Sequence, residues 1–260
     1  MPRQSGYTLI ELIMVIVLLS IVATVSVRFV GLSTQGALDT SARQLRALQS
    51  VVISEQLTRD LREAFPLSVR STGSCIEWLP MEAGTSYLNL PATEVSQIEI
   101  AEFAQPPVVS NRRVVIYGYG TTTGDIYTGA NPGPVSSLIS GVNNTAVPGS
   151  PATISLSASH RFTSTSPARR LFLVGEPVSI CQSGRFLYRY SGYAPTSTQP
   201  DPPPVTPEVL AASVTGTVDF RFLPATLQRA AVVQFTFDLL SADGSETTTV
   251  SQEVQIRNVP

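Results

Sequence analysis

An uninterrupted apolar segment near the N-terminus limits what this chain can fold into more than any other feature. Residues 7–30 carry only two charged side chains, Glu11 near the start and Arg28 near the end. As a helix, the segment would extend about 36 Å, which exceeds the ~30 Å hydrocarbon layer of a membrane. The sequence therefore predicts a single-pass transmembrane helix at residues 7–30.

Glu11 is the unusual residue of this segment, because a carboxylate in apolar surroundings needs a counter-charge. Such a group costs about 2.5 to 3.5 kcal/mol at the centre of an inserted helix, and less near the interface. The chain contains no Lys, and Arg28 follows Glu11 by 17 residues, or about 25 Å of helix. We therefore expect the partner of Glu11 to belong to another molecule.

A known N-terminal pattern begins at Gly6. Residues 6–11 read Gly-Tyr-Thr-Leu-Ile-Glu and precede the apolar run, which resembles the class III leader of type IV pilins and of the pseudopilins of type II secretion. The resemblance implies that a prepilin peptidase cleaves between Gly6 and Tyr7 and that Tyr7 is N-methylated. It also implies that Glu11, as fifth mature residue, pairs with the N-terminal amine of a neighbouring subunit during assembly. The family most often has Phe where this chain has Tyr7.

Two other interpretations of the segment remain open. A secretory signal peptide would use Arg3 in its charged region and cleave near residues 21–23, although the apolar core is long for that class. A plain membrane anchor would not need the order of residues 6–11.

Composition and charge bear on the cellular location and the partners of this protein. The formal net charge is -2, which gives no electrostatic reason to expect nucleic acid as a partner. Charged residues make up 14% of the chain, well below the ~25% of typical soluble domains. With Arg3 on the cytoplasmic side, we expect the inner membrane as the initial location, a periplasmic head, and the pilus after assembly. The resemblance implies prepilin peptidase, other pilin subunits and the pilus assembly platform as partners.

The sequence predicts four regions: a leader at 1–6, the transmembrane helix at 7–30, an amphipathic helix at 31–65 and a β-rich head at 66–260. The proline-rich stretch near residues 196–207 is either a boundary between two lobes or a surface loop. Pro66 is expected to end the helix. An apolar stripe predicts that the amphipathic helix docks on a sheet of the head rather than pairing with another protein; its members are Leu38, Ala42, Leu45, Leu48, Val52, Leu57, Leu61 and Ala64.

Beyond residue 67 the periodicity changes to alternation, which predicts short strands. The predicted strands lie at 74–79, 96–104, 113–119, 151–158, 169–174 and 185–190. A long loop around one or two short strands is predicted at 118–150, and a further strand around 218–222. A hairpin is predicted at 230–256, turning at residues 242–244. The predicted class is α+β, with a long N-terminal helix packed on an antiparallel sheet. This arrangement resembles the pilin fold.

The two cysteines, Cys75 and Cys181, lie beyond the membrane segment, where a disulfide can form; a disulfide is favoured over two buried thiols. No catalytic set of residues is found. The single histidine, His160, is expected on a surface loop, and we expect no enzymatic activity, no cofactor and no metal. A calcium site was weighed at Glu94, Glu99, Glu102 and Asp125, but solvated strand faces are the favoured interpretation.

Aromatic residues of the head are expected to pack in the core or across strands rather than to form a binding face. They are Trp78, Tyr117, Tyr119, Tyr188, Tyr190 and Tyr193.

The sequence therefore predicts a minor pilin that joins or primes a type IV pilus, and residues 177–193 together with the closing hairpin resemble the larger minor pilins of the mannose-sensitive haemagglutinin (MSHA) pilus. A minor pseudopilin of type II secretion is the nearest alternative. A membrane-tethered periplasmic binding or adhesion domain is the alternative from another class.

Overall fold

The structure is a computed structural model that describes residues 6–147, 149–224 and 230–256. It confirms the predicted α+β class, since a long N-terminal helix precedes antiparallel β-structure. The chain divides into two compact units, Met1–Gln49 and Ser50–Pro260. Helix α1 (Leu9–Arg62) begins in the first unit and ends in the second, which we call the head.

The described strands of the head alternate with short loops and one further helix, α2 (Thr123–Tyr127). In chain order they are β1 (Arg70–Thr72), β2 (Cys75–Trp78), β3 (Met81–Asn89), β4 (Val95–Ile100), β5 (Arg113–Val115), β6 (Val135–Asn143), β7 (Ala152–His160), β8 (Arg170–Val174), β9 (Val178–Ser183), β10 (Phe186–Tyr190), β11 (Glu208–Ala211), β12 (Val214–Leu223), β13 (Ala231–Leu240) and β14 (Thr247–Ile256).

Helix α1 is continuous through Gly31 and Gly36 and ends four residues before Pro66, which starts a short 3-10 helix (Pro66–Ser68). Backbone hydrogen bonds tie the end of α1 to the chain after β2: the Phe65 amide donates to the Leu79 carbonyl at 2.8 Å, and the Met81 amide donates to the Glu63 carbonyl at 2.7 Å. The exit of the helix is thereby fixed against the β-structure.

The last turns of α1 pack against two sheets of the head. Ile53, Leu57 and Leu61 are buried in one apolar cluster, and their four-residue spacing places them on one face of the helix. The prediction was wrong for Val52, which is 64% exposed, because the buried face passes through Ile53 instead. For stripe residues before Ser50, docking on the head stays a prediction.

The two sheets contribute the rest of that cluster. One has the order β1-β2-β9-β10-β11 and the other has the order β12-β13-β14. The predicted hairpin is confirmed, since β13 pairs with β14 from Ala231 opposite Ile256 to Leu240 opposite Thr247. Inward-facing residues of both sheets pack with α1; they include Ile76, Trp78, Ile180, Leu187, Val233, Phe235, Phe237 and Val254.

A closed barrel, which the sequence did not predict, lies between β2 and β9 in the chain. Its strand order is β3-β4-β7-β6-β5-β8, and it has an apolar core of its own with Ile98, Ile154 and Leu171. The Pro80 carbonyl accepts a hydrogen bond from the Gly175 amide at 2.9 Å, so the chain enters and leaves the barrel at neighbouring points.

Several strands differ from the predictions. The predicted loop at 118–150 contains α2 and the nine-residue strand β6, and β3, also nine residues long, was missed. The predicted strands at 96–104 and 113–119 end earlier, at Ile100 and Val115. The proline-rich stretch near 196–207 connects β10 with β11, which are neighbours in one sheet.

Candidate functional site

The candidate site begins where α1 begins. Gly6, Tyr7 and Thr8 have no regular secondary structure, and the helix starts at Leu9. Tyr7 is 87% exposed, so the peptide bond between Gly6 and Tyr7 lies in exposed, non-helical backbone of the kind that proteases cut. Residues 1–5 of the predicted leader lie outside the described residues.

Thr8 caps the helix, a role that the sequence analysis missed. Its hydroxyl oxygen accepts a hydrogen bond from the Glu11 amide at 3.3 Å, and its carbonyl accepts one from the Leu12 amide at 3.2 Å. The spacing Thr-x-x-Glu is that of a capping box, in which the residue three after the cap is Glu or Gln. This spacing was visible in the sequence, although the bond found here uses the backbone amide of Glu11 and not its side chain.

The charge of Glu11 has no counter-charge in the described part of the chain. Glu11 is exposed in the first turn of α1, where the helix dipole favours a negative group by about 0.3–1 kcal/mol. None of the ion pairs found among residues 6–147, 149–224 and 230–256 includes Glu11. A capping box accepts Gln as well as Glu at this position, so capping gives no reason for a full charge.

The helix after Glu11 is apolar on every side. Its large apolar side chains between Leu9 and Val30 are all exposed, and length and composition make this helix a candidate membrane span. Two of its hydroxyls are satisfied within the helix: Ser20 donates to the Ile16 carbonyl at 2.7 Å, and Thr24 donates to the Ser20 carbonyl at 2.8 Å. These groups therefore need no partner inside a bilayer.

Comparison with protein families places a known motif on this segment. Residues 1–27 match the family model described as the prokaryotic N-terminal methylation motif. The matched part contains Gly6, Tyr7 and Glu11. The N-terminal segment is therefore of the type IV pilin-like class, which includes the pseudopilins. No match was found among curated proteins or among solved structures.

The disulfide lies in the head. Cys75 of β2 and Cys181 of β9 are paired directly opposite each other, and their sulfurs are bonded at 2.05 Å. Both residues are buried beside Tyr190 and Tyr193. The bond closes a loop that contains the whole barrel.

A buried polar cluster lies next to the disulfide and was not predicted. Glu77 of β2 is fully buried; Arg70 forms an ion pair with its carboxylate, and the Tyr193 hydroxyl donates to it at 2.8 Å. Since Tyr193 has one hydroxyl proton, the Ser179 hydroxyl 2.5 Å away must donate to Tyr193. Burial is the largest cause that raises the pKa of Tyr193 far above its ordinary value, so the phenol stays protonated.

Arg70 joins the cluster to neighbouring segments. Its guanidinium donates to the carbonyls of Thr196 and Ser197 at 2.8 and 2.9 Å, and it lies 3.6 Å from the centre of the Tyr127 ring. The cluster therefore fastens the proline-rich connection between β10 and β11 onto the sheet. We assign these side chains a structural role, because each of them is bound to another group of the protein.

The other candidates of the sequence analysis are dispersed or have local roles. The prediction for His160 was wrong: it is buried at the end of β7, with Nε2 3.0 Å from the Gly133 carbonyl oxygen. Glu94 accepts from Asn131, Glu102 accepts from the Ala146 amide, and Asp125 accepts from Thr122. Among the described residues, one close group of possible metal ligands is found, Cys75, Cys181 and Asp201, but both of its sulfurs are in the disulfide.

Proposed function

We propose that this protein is a minor pilin that is incorporated into, or primes the assembly of, a type IV pilus of the MSHA kind, similar to the MshO-type biogenesis protein. The observation that carries the proposal is Glu11. It is a charged residue at the start of a helix that is apolar on all sides, it follows a methylation motif, and it has no counter-charge in the described part of the chain.

The proposed mechanism uses the new N-terminus as the missing cation. Cleavage between Gly6 and Tyr7 would release an α-amine, which has a pKa near 8 and is cationic at neutral pH. When two adjacent subunits have the correct axial stagger, the amine of one subunit would lie at the same depth as Glu11 of the other. Removing one partner from a desolvated ion pair costs about 3–5 kcal/mol, so subunits in the wrong stagger would be rejected.

Contacts of the apolar helix would hold the subunits together, and the pair made by Glu11 would set their axial stagger. As the subunit leaves the inner membrane, contacts between apolar helices would replace contacts with lipid, and the head would remain on the periplasmic side. Prepilin peptidase, other pilin subunits and the assembly platform are the partners of this mechanism. It requires no catalytic group, no cofactor, no metal and no nucleic acid.

Substitution at Glu11 tests the mechanism. Glu11→Gln removes the charge but keeps a residue type that completes a capping box, so we expect it to fail in assembly as Glu11→Ala does. The amount of subunit in sheared pili should fall by at least about tenfold, which corresponds to 1.4 kcal/mol, while the amount in the membrane stays unchanged. Glu55→Ala, an exposed Glu on α1 beyond the apolar segment, is the control. Normal assembly of Glu11→Gln would contradict the proposal.

Mass spectrometry of the mature N-terminus tests the processing step. The expected result is a chain that starts at an N-methylated Tyr7. A chain that retains Met1, or one that starts near Thr24 after signal-peptide cleavage, would exclude the mechanism.

The methylation motif also favours a second function, because pseudopilins belong to the same class. A minor pseudopilin would use Tyr7 and Glu11 in the same way but in a type II secretion system. Deletion of the gene separates the two functions: loss of surface pili supports the minor pilin, and loss of protein secretion with normal pili supports the pseudopilin.

A further inference from the structure

An open cleft lies on the surface of the inserted barrel, away from the N-terminal segment. It is formed by the chain between β5 and β6 and by the chain between β7 and β8, and its volume is about 330 Å³. Ligand pockets begin at about this size. Side chains that line it include Tyr119, Thr121, Asp125, Thr128, Thr163 and Ser164.

Tyr119 gives the cleft an exposed aromatic surface. The aromatic residues of the head were expected to be packed, but Tyr119 is 87% exposed. It lies in a turn closed by a hydrogen bond from the Thr121 amide to the Gly118 carbonyl at 3.3 Å. Gly120 has a φ of +87° in this turn, a conformation that strongly favours glycine. The backbone of the turn therefore presents the Tyr119 ring to the solvent.

The opposite wall holds this turn in place. A Cβ atom at Gly118 would lie only 2.7 Å from the Thr165 carbonyl oxygen, so the turn and the chain before β8 touch through their backbones. In the same wall, the Ser164 hydroxyl is buried without a hydrogen-bond partner among the described residues. A buried hydroxyl without a partner costs about 1–3 kcal/mol. The exposed Thr side chains of the cleft are those of Thr128 and Thr163.

Asp125 sets the charge of the cleft. It is the one charged side chain among the described residues that line it, and hydrogen bonds from Thr122 lower its pKa. These bonds, both 2.8 Å long, are made to Oδ2. Asp125 is exposed and lines the cleft, so its Oδ1 can accept a further hydrogen bond. An ionised carboxylate only accepts hydrogen bonds, so a matching ligand must donate, and an anionic ligand is repelled.

These groups define the chemistry of the ligand. It must offer an apolar face to the Tyr119 ring, hydroxyl donors to Asp125, and hydroxyls that can donate to, or accept from, the exposed Thr side chains. A neutral hexopyranose has this combination, because the C–H groups of one ring face are apolar and the ring edge carries hydroxyls. A phosphate or a carboxylate does not have it.

We propose that the cleft formed by Tyr119, Asp125 and the neighbouring hydroxyl side chains binds a neutral hexopyranose, as the terminal unit of a glycan. The site lies within the head, and binding needs no partner subunit. It is therefore independent of whether the chain assembles into a pilus, and it would add a surface-recognition activity to the assembly function.

The experiment uses the full chain in dodecylphosphocholine, a detergent without a sugar headgroup. Saturation-transfer NMR is recorded with methyl α- and β-hexopyranosides of glucose, galactose and mannose at millimolar concentration. We expect saturation of at least one glycoside. The signal should fall by about tenfold or more in Tyr119→Ala, which removes the ring, and persist in Tyr119→Phe, which keeps it. Val108→Ala, an exposed apolar residue elsewhere on the barrel, should bind as the unaltered protein does.

Two further probes complete the test. Asp125→Asn keeps an acceptor for Thr122 but removes the charge, and we expect it to weaken binding several-fold. Glucose 6-phosphate should give no signal. Absence of signal with every glycoside, equal signals in Tyr119→Ala and the unaltered protein, or preferential binding of the phosphorylated sugar would each overturn the proposal. Equal thermal unfolding of all variants confirms that differences arise at the cleft.

Discussion

Glu77 is a charged residue without any contact to solvent, and two hydrogen-bond donors stabilise its buried carboxylate. Arg70 supplies the counter-charge and Tyr193 supplies a neutral hydrogen bond. In a low-dielectric interior, a pair of this kind is stable only while both partners are present. The sequence contains all these residues but gave no reason to combine them, because Arg70 and Thr196 are 126 residues apart in the chain.

Replacing Arg70 tests how strongly the cluster holds the head together. Arg70→Ala leaves the Glu77 carboxylate buried without a counter-charge, so we expect the free energy of unfolding to fall by about 3–5 kcal/mol. Trp78, the one tryptophan of the sequence, is 1% exposed and lies next to Glu77 in β2. Its fluorescence during denaturant unfolding in detergent is therefore a suitable measurement.

Arg221→Ala is the matched control. Arg221 pairs with Asp219 at 3.2 Å, but both side chains are mostly exposed, and exposed ion pairs contribute about 0–1 kcal/mol. If the two substitutions were equally harmless, the Glu77 cluster would not be a determinant of stability.

At the scale of the element, α1 shows which sequence signals were sufficient to predict the extent and the buried side of a helix. The apolar run at 9–30, the stop before Pro66 and the burial of Leu57 and Leu61 followed from composition and helical periodicity. The exact buried face did not, because Val52 and Ile53 are both β-branched apolar residues and only the position of the sheets selects Ile53. Hairpin β13–β14 was predictable because apolar and polar residues alternate from Val233 to Leu239 in β13.

Other strands could not be predicted because their sequences lack this alternation. Strand β3 reads Met-Glu-Ala-Gly-Thr-Ser-Tyr-Leu-Asn, and β6 contains three serines and a glycine. Both are held by pairing in the barrel, β3 with β4 and β8 and β6 with β5 and β7, rather than by a local pattern of apolar residues. Tyr119 was likewise expected to be packed, although it is exposed, since the exposure of one aromatic residue depends on tertiary structure.

The contrast between Leu57 and Val52 gives a prediction for α1. Leu57 is fully buried among residues of both sheets, so Leu57→Ala should lower the free energy of unfolding by about 2–5 kcal/mol. Val52→Ala, on the exposed side five residues earlier, should change it by less than about 0.5 kcal/mol. Denaturant unfolding followed by Trp78 fluorescence measures both variants. Equal losses in the two would mean that Val52 is buried as well.

At the scale of the whole molecule, the head consists of a pilin-like helix and sheets with a barrel inserted between β2 and β9. The disulfide joins these two strands and closes a loop with a sequence separation of 106. In the unfolded chain, a cross-link over a loop of this length removes conformational entropy equivalent to up to about 4.7 kcal/mol.

The double variant Cys75→Ala, Cys181→Ala measures this contribution. We expect the free energy of unfolding to fall by about 2–5 kcal/mol, while circular dichroism shows the same β content. Strands β2 and β9 remain paired from Ile76 opposite Ile180 to Trp78 opposite Val178, and beyond the cysteines the Gln182 amide donates to the Ser74 carbonyl. Unchanged stability would show that the cross-link is dispensable in the head.

The hydrogen bond between Gly175 and Pro80 has a consequence for how such a head can diversify. Since the chain enters and leaves the barrel at neighbouring points, barrel loops that do not contact the sheets can change in length while the chain before Pro80 and after Gly175 keeps its path. The Tyr127 side chain, which contacts Arg70 and Ser68, sets the limit, so we expect such changes at the far side of the barrel only.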